Sequence, residues 1–187
     1  MTRPILPRFR SALASLRRDN TGVAAVEFVM VLPLFVLIYL GMFEGSKIYE
    51  GATKANTAAE TIGDLVSRTR SVSSSELNKI FTVSKAIMYP LDYTKFEVTI
   101  SGIAIDENGK GTVAWSKKDG GGGLAKDSDY QLPDELKDNP SKFLIIVDTR
   151  YTHESPLLHS VIASSLDIDR QFAVVPRLST DIPCSDC

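Results

Sequence analysis

A run of apolar residues near the N-terminus, residues 23–43, constrains this chain more than any other feature. The run contains a single charge, Glu27. A helix needs about 20 predominantly apolar residues to cross the hydrocarbon core of a bilayer. A carboxylate at the centre of such a helix costs about 2.5–3.5 kcal/mol on insertion scales. The run therefore predicts a membrane-spanning helix whose single acid requires a partner.

The charges around this run predict its orientation. Residues 1–22 carry five arginines, and Asp19 is their one acidic residue. Basic flanks stay on the cytoplasmic side of a membrane. We therefore expect a basic cytoplasmic leader at 1–22, a transmembrane segment at 23–43 and an extracytoplasmic domain at 44–187. A cleaved signal peptide is the alternative, but its apolar core is usually about 7–15 residues and ends at a small-x-small site. Residues 40–44, Leu-Gly-Met-Phe-Glu, match such a site poorly.

The remaining charge argues against one class of partner. After the leader, 16 basic and 22 acidic side chains remain, a net charge of −6. Proteins that bind nucleic acid need a basic face. The composition therefore predicts no nucleic-acid binding by the extracytoplasmic domain.

Hydrophobic periodicity predicts two helices. The first covers residues 23–70, with Pro33 inside it, and small and apolar residues recur along one face beyond the membrane. That stripe either packs on the protein's own sheet, the reading we favour, or on helices of neighbouring subunits. Its members are Ile48, Ala52, Ala55, Ala59, Ile62, Val66 and Thr69. Ser73 and Glu76 have the spacing of a capping box, which predicts the start of a second helix that Pro90 ends.

Alternating apolar residues predict about four antiparallel strands after the helices. Residues 96–105 form one strand with a candidate bulge at Gly102, and Asn108-Gly109 predicts a hairpin to a partner strand at 111–116. Two more strands are expected at 143–151 and 171–175. We expect a flexible loop at 120–123 and an acidic connector up to residue 140, while 156–166 is either a short helix or a loop. The sum is an α+β fold.

Gly22 and Glu27 together suggest a specific chemistry. Cleavage after Gly22 would make Val23 the new N-terminus and Glu27 the fifth mature residue. In a helical stack of subunits, the new ammonium of one subunit would pair with Glu27 of the next, because an unpaired buried charge is far costlier than a paired one. The alternative is a carboxylate near the cytoplasmic interface that reaches water.

These residues resemble a known family. Gly22 followed by Val-Ala-Ala-Val-Glu-Phe, and then Val-Leu-Pro at 31–33, is similar to the N-terminus of TadE-like pseudopilins of the bacterial tight-adherence (Flp pilus) machinery. The resemblance implies cleavage by a membrane aspartyl prepilin peptidase between Gly22 and Val23. It also implies assembly roles for Glu27, Phe28 and Pro33. Phe28 departs from the Tyr that major Flp pilins often carry.

The resemblance also implies a setting. Flp pilins are much shorter than this chain, so the large outer domain favours a minor pseudopilin with a pilin-like fold that takes part in pilus assembly for adherence. The implied partners are the prepilin peptidase, other pilins or pseudopilins, the inner-membrane assembly platform and membrane lipid. The implied location is the bacterial inner membrane, crossed once, with the N-terminus cytoplasmic and the C-terminal domain periplasmic or extracellular, or incorporated into the pilus. Tyr151, Pro156 and residues 175–177 are loosely similar to the family's tail.

Other candidate chemistry is weak. Cys184 and Cys187 form a CxxC at the chain end, where we expect a local disulfide or bridges within an assembly rather than a catalytic redox site, because no helical pattern follows. Two cysteines alone do not complete a zinc site, and His153 and His159 are the chain's only histidines. A cluster of acidic residues is a candidate calcium site, but it lacks the spacing of an EF-hand loop, and a solvated acidic loop is the favoured interpretation. Its members are Asp127, Asp129, Asp134, Glu135 and Asp138. We therefore predict no catalytic residue, metal or cofactor.

Two rival classes stay open. One is an uncleaved, single-pass anchored protein whose extracytoplasmic domain binds a partner. The other is an anchored extracytoplasmic enzyme, for which the sequence offers no nucleophile elbow and no companions for its two histidines.

Overall fold

The computed structural model describes residues 21–137, 143–155 and 165–187. It divides into two compact units, one that ends at Gly45 and one that begins at Ser46. Helix α1, Thr21–Ser67, runs through both. The predicted leader before Thr21, most of the 156–166 segment, Asp138 and His159 lie outside the described residues.

The N-terminal unit contains the apolar half of α1. Pro33 lies inside the helix. Every residue from 22 to 39 is exposed. This half of α1 has no apolar cover among the described residues of its own unit, which is unusual for so large an apolar surface in water.

The C-terminal unit begins with the second half of α1 and continues into helix α2, Ser74–Met88. The predicted capping box is confirmed: the Ser73 hydroxyl accepts from the Glu76 amide, and the Glu76 carboxylate accepts from the Ser73 amide at 2.9 Å. Helix α1 ends at Ser67, three residues before the predicted end. The Ser67 carbonyl instead accepts a hydrogen bond from the Arg177 amide at 2.8 Å, so a distant segment occupies the end of the helix.

A six-stranded antiparallel sheet follows a 3₁₀ turn at Tyr93–Lys95. All four predicted strands are present, and two further strands are only two residues long. In chain order the elements are β1 (Phe96–Ile105), β2 (Gly111–Lys118), β3 (Gly121–Gly122), β4 (Asp129–Tyr130), the short helix α3 (Asp134–Lys137), β5 (Phe143–Glu154) and β6 (Ser165–Val174). The sheet order is β3-β2-β1-β5-β6, with β4 also paired to β2. The α+β class is therefore confirmed, with more strands than predicted.

The glycine-rich segment at 120–123, predicted as a flexible loop, turns the chain at a hairpin. Strand β3 lies within it and pairs with the end of β2, Lys117 with Gly122. Gly120 has a φ of 74°, which glycine adopts without a steric cost, so the chain turns back immediately as a hairpin.

The predicted irregularity at Gly102 is confirmed, although the extra residue lies on the partner strand. Gly102 pairs with Trp115 and Ile103 pairs with Val113, which leaves Ala114 without a register partner on β1. A Cβ on Gly102 would lie 2.5 Å from Trp115 Nε1 and 2.7 Å from Phe143 Cζ. Glycine is therefore required here so that two aromatic rings can cross the strand.

The sheet buries apolar side chains on both faces. The helices cover one face, and their contribution includes Ile62, Val66, Leu77, Phe81 and Met88. The segment from Tyr130 to Leu136 covers part of the other face, over a smaller cluster formed by Ile103, Ile105, Val113, Leu132, Leu144 and Ile146.

Helix α1 approaches the sheet closely at two glycines. A Cβ on Gly51 would lie 2.7 Å from the Tyr151 ring, and one on Gly63 would lie 2.7 Å from the Phe172 ring. In the predicted stripe Ala55, Ala59, Ile62 and Val66 are fully buried, and Ile48 and Ala52 pack against the same core. The favoured reading, packing on the protein's own sheet, is thus confirmed for these residues, and packing on neighbouring subunits is wrong for them.

Candidate functional site

The N-terminal unit brings the predicted processing and assembly residues together on one exposed helix. Gly22, Val23, Glu27, Phe28 and Pro33 all lie in α1 and are all exposed. Apart from the half-buried Leu40, the large apolar side chains between residues 23 and 43 have exposed fractions from 43% to 78%. Among the described residues, this is the one helix long and apolar enough to cross a membrane, and it is therefore a candidate membrane anchor.

Glu27 is the single ionisable side chain between residues 22 and 38. Within the part of the chain that the structure describes, it makes no hydrogen bond and no ion pair. Val23 precedes it by four residues, so the two lie on the same face of α1, about 6 Å apart along the axis. A positive charge at Val23 would therefore reach nearly the same depth as the carboxylate.

Pro33 lies more than one turn beyond Glu27 in the same helix. Proline lacks an N–H, so the carbonyl of Val29 has no amide donor four residues on. In membrane helices such a carbonyl is satisfied by local adjustment or by a neighbouring helix. The exposed face around Pro33 therefore offers a neighbour both an apolar surface and an acceptor.

The C-terminal cysteines lie at the far end of the second unit. The structure joins Cys184 to Cys187 in a disulfide. Asp186 lies inside the four-residue loop that this bond closes. Its carboxylate accepts the Ser74 amide at 2.6 Å, at the start of α2.

A groove of the second unit lies on the sheet face opposite the helices and has a volume of about 520 Å³. Its charged side chains pair with one another: Lys118 with Glu97 at 2.9 Å, and Arg150 with Asp169 at 2.6 Å. Gln171 donates to Asp148 at 2.7 Å. Since the charges are already matched, the groove does not specify a charged ligand.

Two acidic groups beside this groove have shifted pKa values. Burial, and to a lesser degree the charge of Asp169, raises the pKa of Asp148, against the hydrogen bond from Gln171. Burial and then the Asp148 charge raise the pKa of Tyr130 to about 12, although its hydrogen bond from Gln171 acts in the opposite direction. Shifted pKa values also occur in structural networks, and burial of these two groups beside each other accounts for the shifts here.

Metal ligands are sparse in the described ranges. The one group of three candidate ligands there is Cys184, Asp186 and Cys187, whose two sulfurs are already joined. His153 is buried within β5, with its ring centroid 6.4 Å from that of Tyr151. Among the described residues, Asp127, Asp129 and Asp134 belong to no cluster of three candidate ligands.

Sequence reasoning missed how the C-terminal segment is held. Trp115 Nε1 donates to the Ile182 carbonyl at 2.6 Å, and Ile182 is fully buried. The available signals were the chain's single tryptophan and an aspartate between the two cysteines. Neither signal predicts its partner, because both contacts join residues far apart in sequence.

Comparison with known proteins adds one finding to this geometry. The family model of TadE-like proteins matches residues 22–63, from the predicted cleavage site to the glycine that packs on Phe172. No curated protein sequence and no solved structure matches the chain. The matched segment contains Gly22, Glu27 and Pro33, which carried the resemblance in the sequence. That resemblance is thereby confirmed: over residues 22–63 this chain is similar to TadE-like proteins.

Proposed function

We propose that this chain is a minor pseudopilin of a tight-adherence pilus system, processed by a prepilin peptidase after Gly22 and assembled through its N-terminal helix. The family match relates the chain to this pilus system in general terms. The cleavage, the minor role and the assembly step are the finer parts of the proposal.

The observation that carries the proposal is Glu27 in an exposed apolar helix. The bilayer can cover the apolar side chains, but it cannot compensate the carboxylate. A second subunit whose N-terminus has been freed at Val23 supplies one ammonium at a similar depth. A pair of this kind fixes the axial position of one helix against the next, because a shift of one turn leaves both charges unpaired.

Burial in the second unit supports different roles for the two halves of α1. From Ala55 to Val66 the inner face of the helix is buried in the protein's own core. That face is therefore occupied, while the segment from Val23 to Phe43 remains exposed. We propose that only the N-terminal segment exchanges lipid for neighbouring subunits, and that the folded unit from Ser46 accompanies it as a rigid head.

We further propose that the protein acts by packing, without catalysis. The groove on the sheet face opposite the helices has two pairs of charged side chains that already bond each other, Lys118 with Glu97 and Arg150 with Asp169. An enzyme would need a reactive group that is free to meet a substrate.

Processing is tested by co-expression with the cognate prepilin peptidase, followed by N-terminal sequencing. The expected mature N-terminus is Val23, and Gly22→Val should abolish its appearance. Gly41→Val is the matched control: a Cβ at Gly41 meets nothing within 4 Å, as at Gly22, and processing should continue. If the leader remains on the wild-type protein, the result contradicts cleavage after Gly22. It then favours the alternative, an uncleaved, single-pass anchored protein that binds a partner outside the membrane.

The role of Glu27 is tested by moving its charge. Glu27→Ala should insert normally and fail to assemble. Glu27→Ala combined with Val31→Glu restores the charge on the same face one turn away, about 6 Å along the axis, and should also fail if register matters. Glu60→Ala removes an exposed carboxylate from the same helix and should assemble as wild type. Full assembly of the shifted-charge variant would show that Glu27 does not set the register.

A further inference from the structure

The last twelve residues of the chain are bonded to the connection between the two helices. They leave β6 and first meet the end of α1. The Arg177 amide donates to the Ser67 carbonyl at 2.8 Å, and its guanidinium lies 2.8 Å from the Asp64 carboxylate. Asp64 also pairs with Arg68 at 2.8 Å. The C-terminal segment therefore begins where α1 stops.

The middle of this segment is anchored in the core. Ile182 is fully buried in the main apolar cluster, and its carbonyl accepts from Trp115 at 2.6 Å. The next residue, Pro183, accepts from the Val72 amide at 3.0 Å, and the Ser185 amide donates to the Val72 carbonyl at 3.3 Å. Val72 thus gains both backbone partners from the C-terminal segment, as in a short parallel bridge.

The end of the segment reaches the first turn of α2. The Asp186 carboxylate accepts the Ser74 amide at 2.6 Å, and the Asp186 carbonyl accepts the Ser74 hydroxyl at 2.8 Å. The first amides of a helix have no partner within the helix, and a carboxylate there is also favoured by the helix dipole. Asp186 and Ser73 therefore together cap the N-terminus of α2.

The disulfide encloses the residues that make these contacts. Cys184 and Cys187 close a loop around Ser185 and Asp186, and Asp186 and Cys187 are exposed. Without the bond, Ser185, Asp186 and Cys187, all exposed, would have to stay ordered through hydrogen bonds to groups that water also satisfies. Segments held by so few buried contacts open locally at a low free-energy cost.

We propose that residues 176–187 are a redox-controlled clasp: formation of the Cys184–Cys187 bond holds the C-terminal segment on the junction of α1 and α2, and reduction releases its end. The two thiols lose two electrons and two protons. A disulfide oxidant outside the cytoplasm accepts them by thiol–disulfide exchange, and its own disulfide becomes a dithiol. The exposed Cys187 is the sulfur that such an oxidant reaches. The clasp is independent of cleavage after Gly22 and of pilus assembly.

The clasp makes a local prediction that an ordinary stabilising disulfide does not. Full-length protein in detergent micelles is compared in its oxidised and dithiothreitol-reduced forms by amide hydrogen exchange. Reduction should accelerate exchange at Val72, Ser74 and Ser185 by about tenfold or more, since their bonds close only with the clasp. Amides of Ile100 and Val147 in the central strands should be unchanged. Equal acceleration everywhere, or none at Val72 and Ser74, would overturn the proposal.

Two variants separate the clasp from other effects of the reductant. Cys184→Ser with Cys187→Ser should show the reduced pattern without dithiothreitol. Asp186→Ala keeps the disulfide but removes the acceptor of the Ser74 amide. It should therefore accelerate amide hydrogen exchange at Ser74 and leave the exchange rate of Ile100 unchanged. Asp181→Ala makes the same charge change at another exposed position of the segment and should behave as wild type. If Asp181→Ala matches Asp186→Ala, the Ser74 contact does not hold the clasp.

The single tryptophan gives an independent readout. Trp115 is bonded to Ile182 at the anchored part of the segment. The clasp predicts that its emission stays close to wild type on reduction, since only the end beyond Ile182 is released. A large red shift, with far-UV circular dichroism unchanged, would mean that Ile182 also detaches from the core. That result would overturn the proposal that only the residues after Ile182 are released.

Discussion

Substitution of Gly102 by alanine tests the packing at the centre of the sheet most directly. Its Cβ would lie 2.5 Å from Trp115 Nε1, 2.6 Å from Trp115 Cε2 and 2.7 Å from Phe143 Cζ. Each of these separations is shorter than a van der Waals contact. One or both rings must therefore move, although Phe143 is 6% exposed and Trp115 is 5% exposed.

The magnitude follows from what must move. Overpacking a core by one methyl group costs typically about 1–3 kcal/mol. Turning Trp115 aside also breaks its bond to the Ile182 carbonyl, which costs about 1 kcal/mol or more because that carbonyl stays buried. We therefore expect Gly102→Ala to lower the free energy of unfolding by about 2–4 kcal/mol. For a unit of this size that is about 5–15 °C in Tm.

The assay is urea unfolding followed by far-UV circular dichroism, which does not depend on the displaced tryptophan. Gly122→Ala is the matched control, because a Cβ there meets nothing within 4 Å, and it should stay within about 0.5 kcal/mol of wild type. Trp115→Phe removes the two closest atoms, so the double variant should be more stable than the sum of the single effects. Additive effects, or Gly102→Ala within about 0.5 kcal/mol of wild type, would refute the reasoning.

Two further predictions concern the helix start and the groove. Ser73→Ala removes the capping box of α2 and should cost about 1 kcal/mol in urea unfolding, whereas Thr82→Ala in the middle of the same helix should cost less; equal costs would contradict a capping role. The pKa of Tyr130 is raised from its ordinary value of 10 to about 12, so the folded state keeps its proton longer than the unfolded state, and stability should fall as the pH rises from 10 to about 12. Tyr130→Phe should flatten that fall in urea midpoints, although the raised pKa of Tyr151 acts in the same direction; an unchanged slope would contradict the assignment.

Local signals in the sequence predicted much of the fold correctly. The capping box at Ser73 and Glu76, the Asn108-Gly109 hairpin and the irregularity at Gly102 each depend on a few adjacent residues, and each is present. The small-residue stripe on α1 was also read correctly as a packing face. At 120–123 the glycines indicated a turn, and pairing with β2 makes that turn a tight hairpin.

For the candidate site, the sequence alone was enough to single out Gly22, Glu27 and Pro33, because one charge in an apolar run, with a glycine before it and a proline within it, is a feature of a linear segment. The tertiary structure decided which part of α1 is already occupied by the protein's own sheet. It also decided where the C-terminal segment goes: Trp115 to Ile182, Val72 to Pro183 and Ser74 to Asp186. The physical reason is separation along the chain. A charge in an apolar run restricts its own neighbourhood, whereas contacts between residues more than 60 positions apart depend on the fold that brings them together.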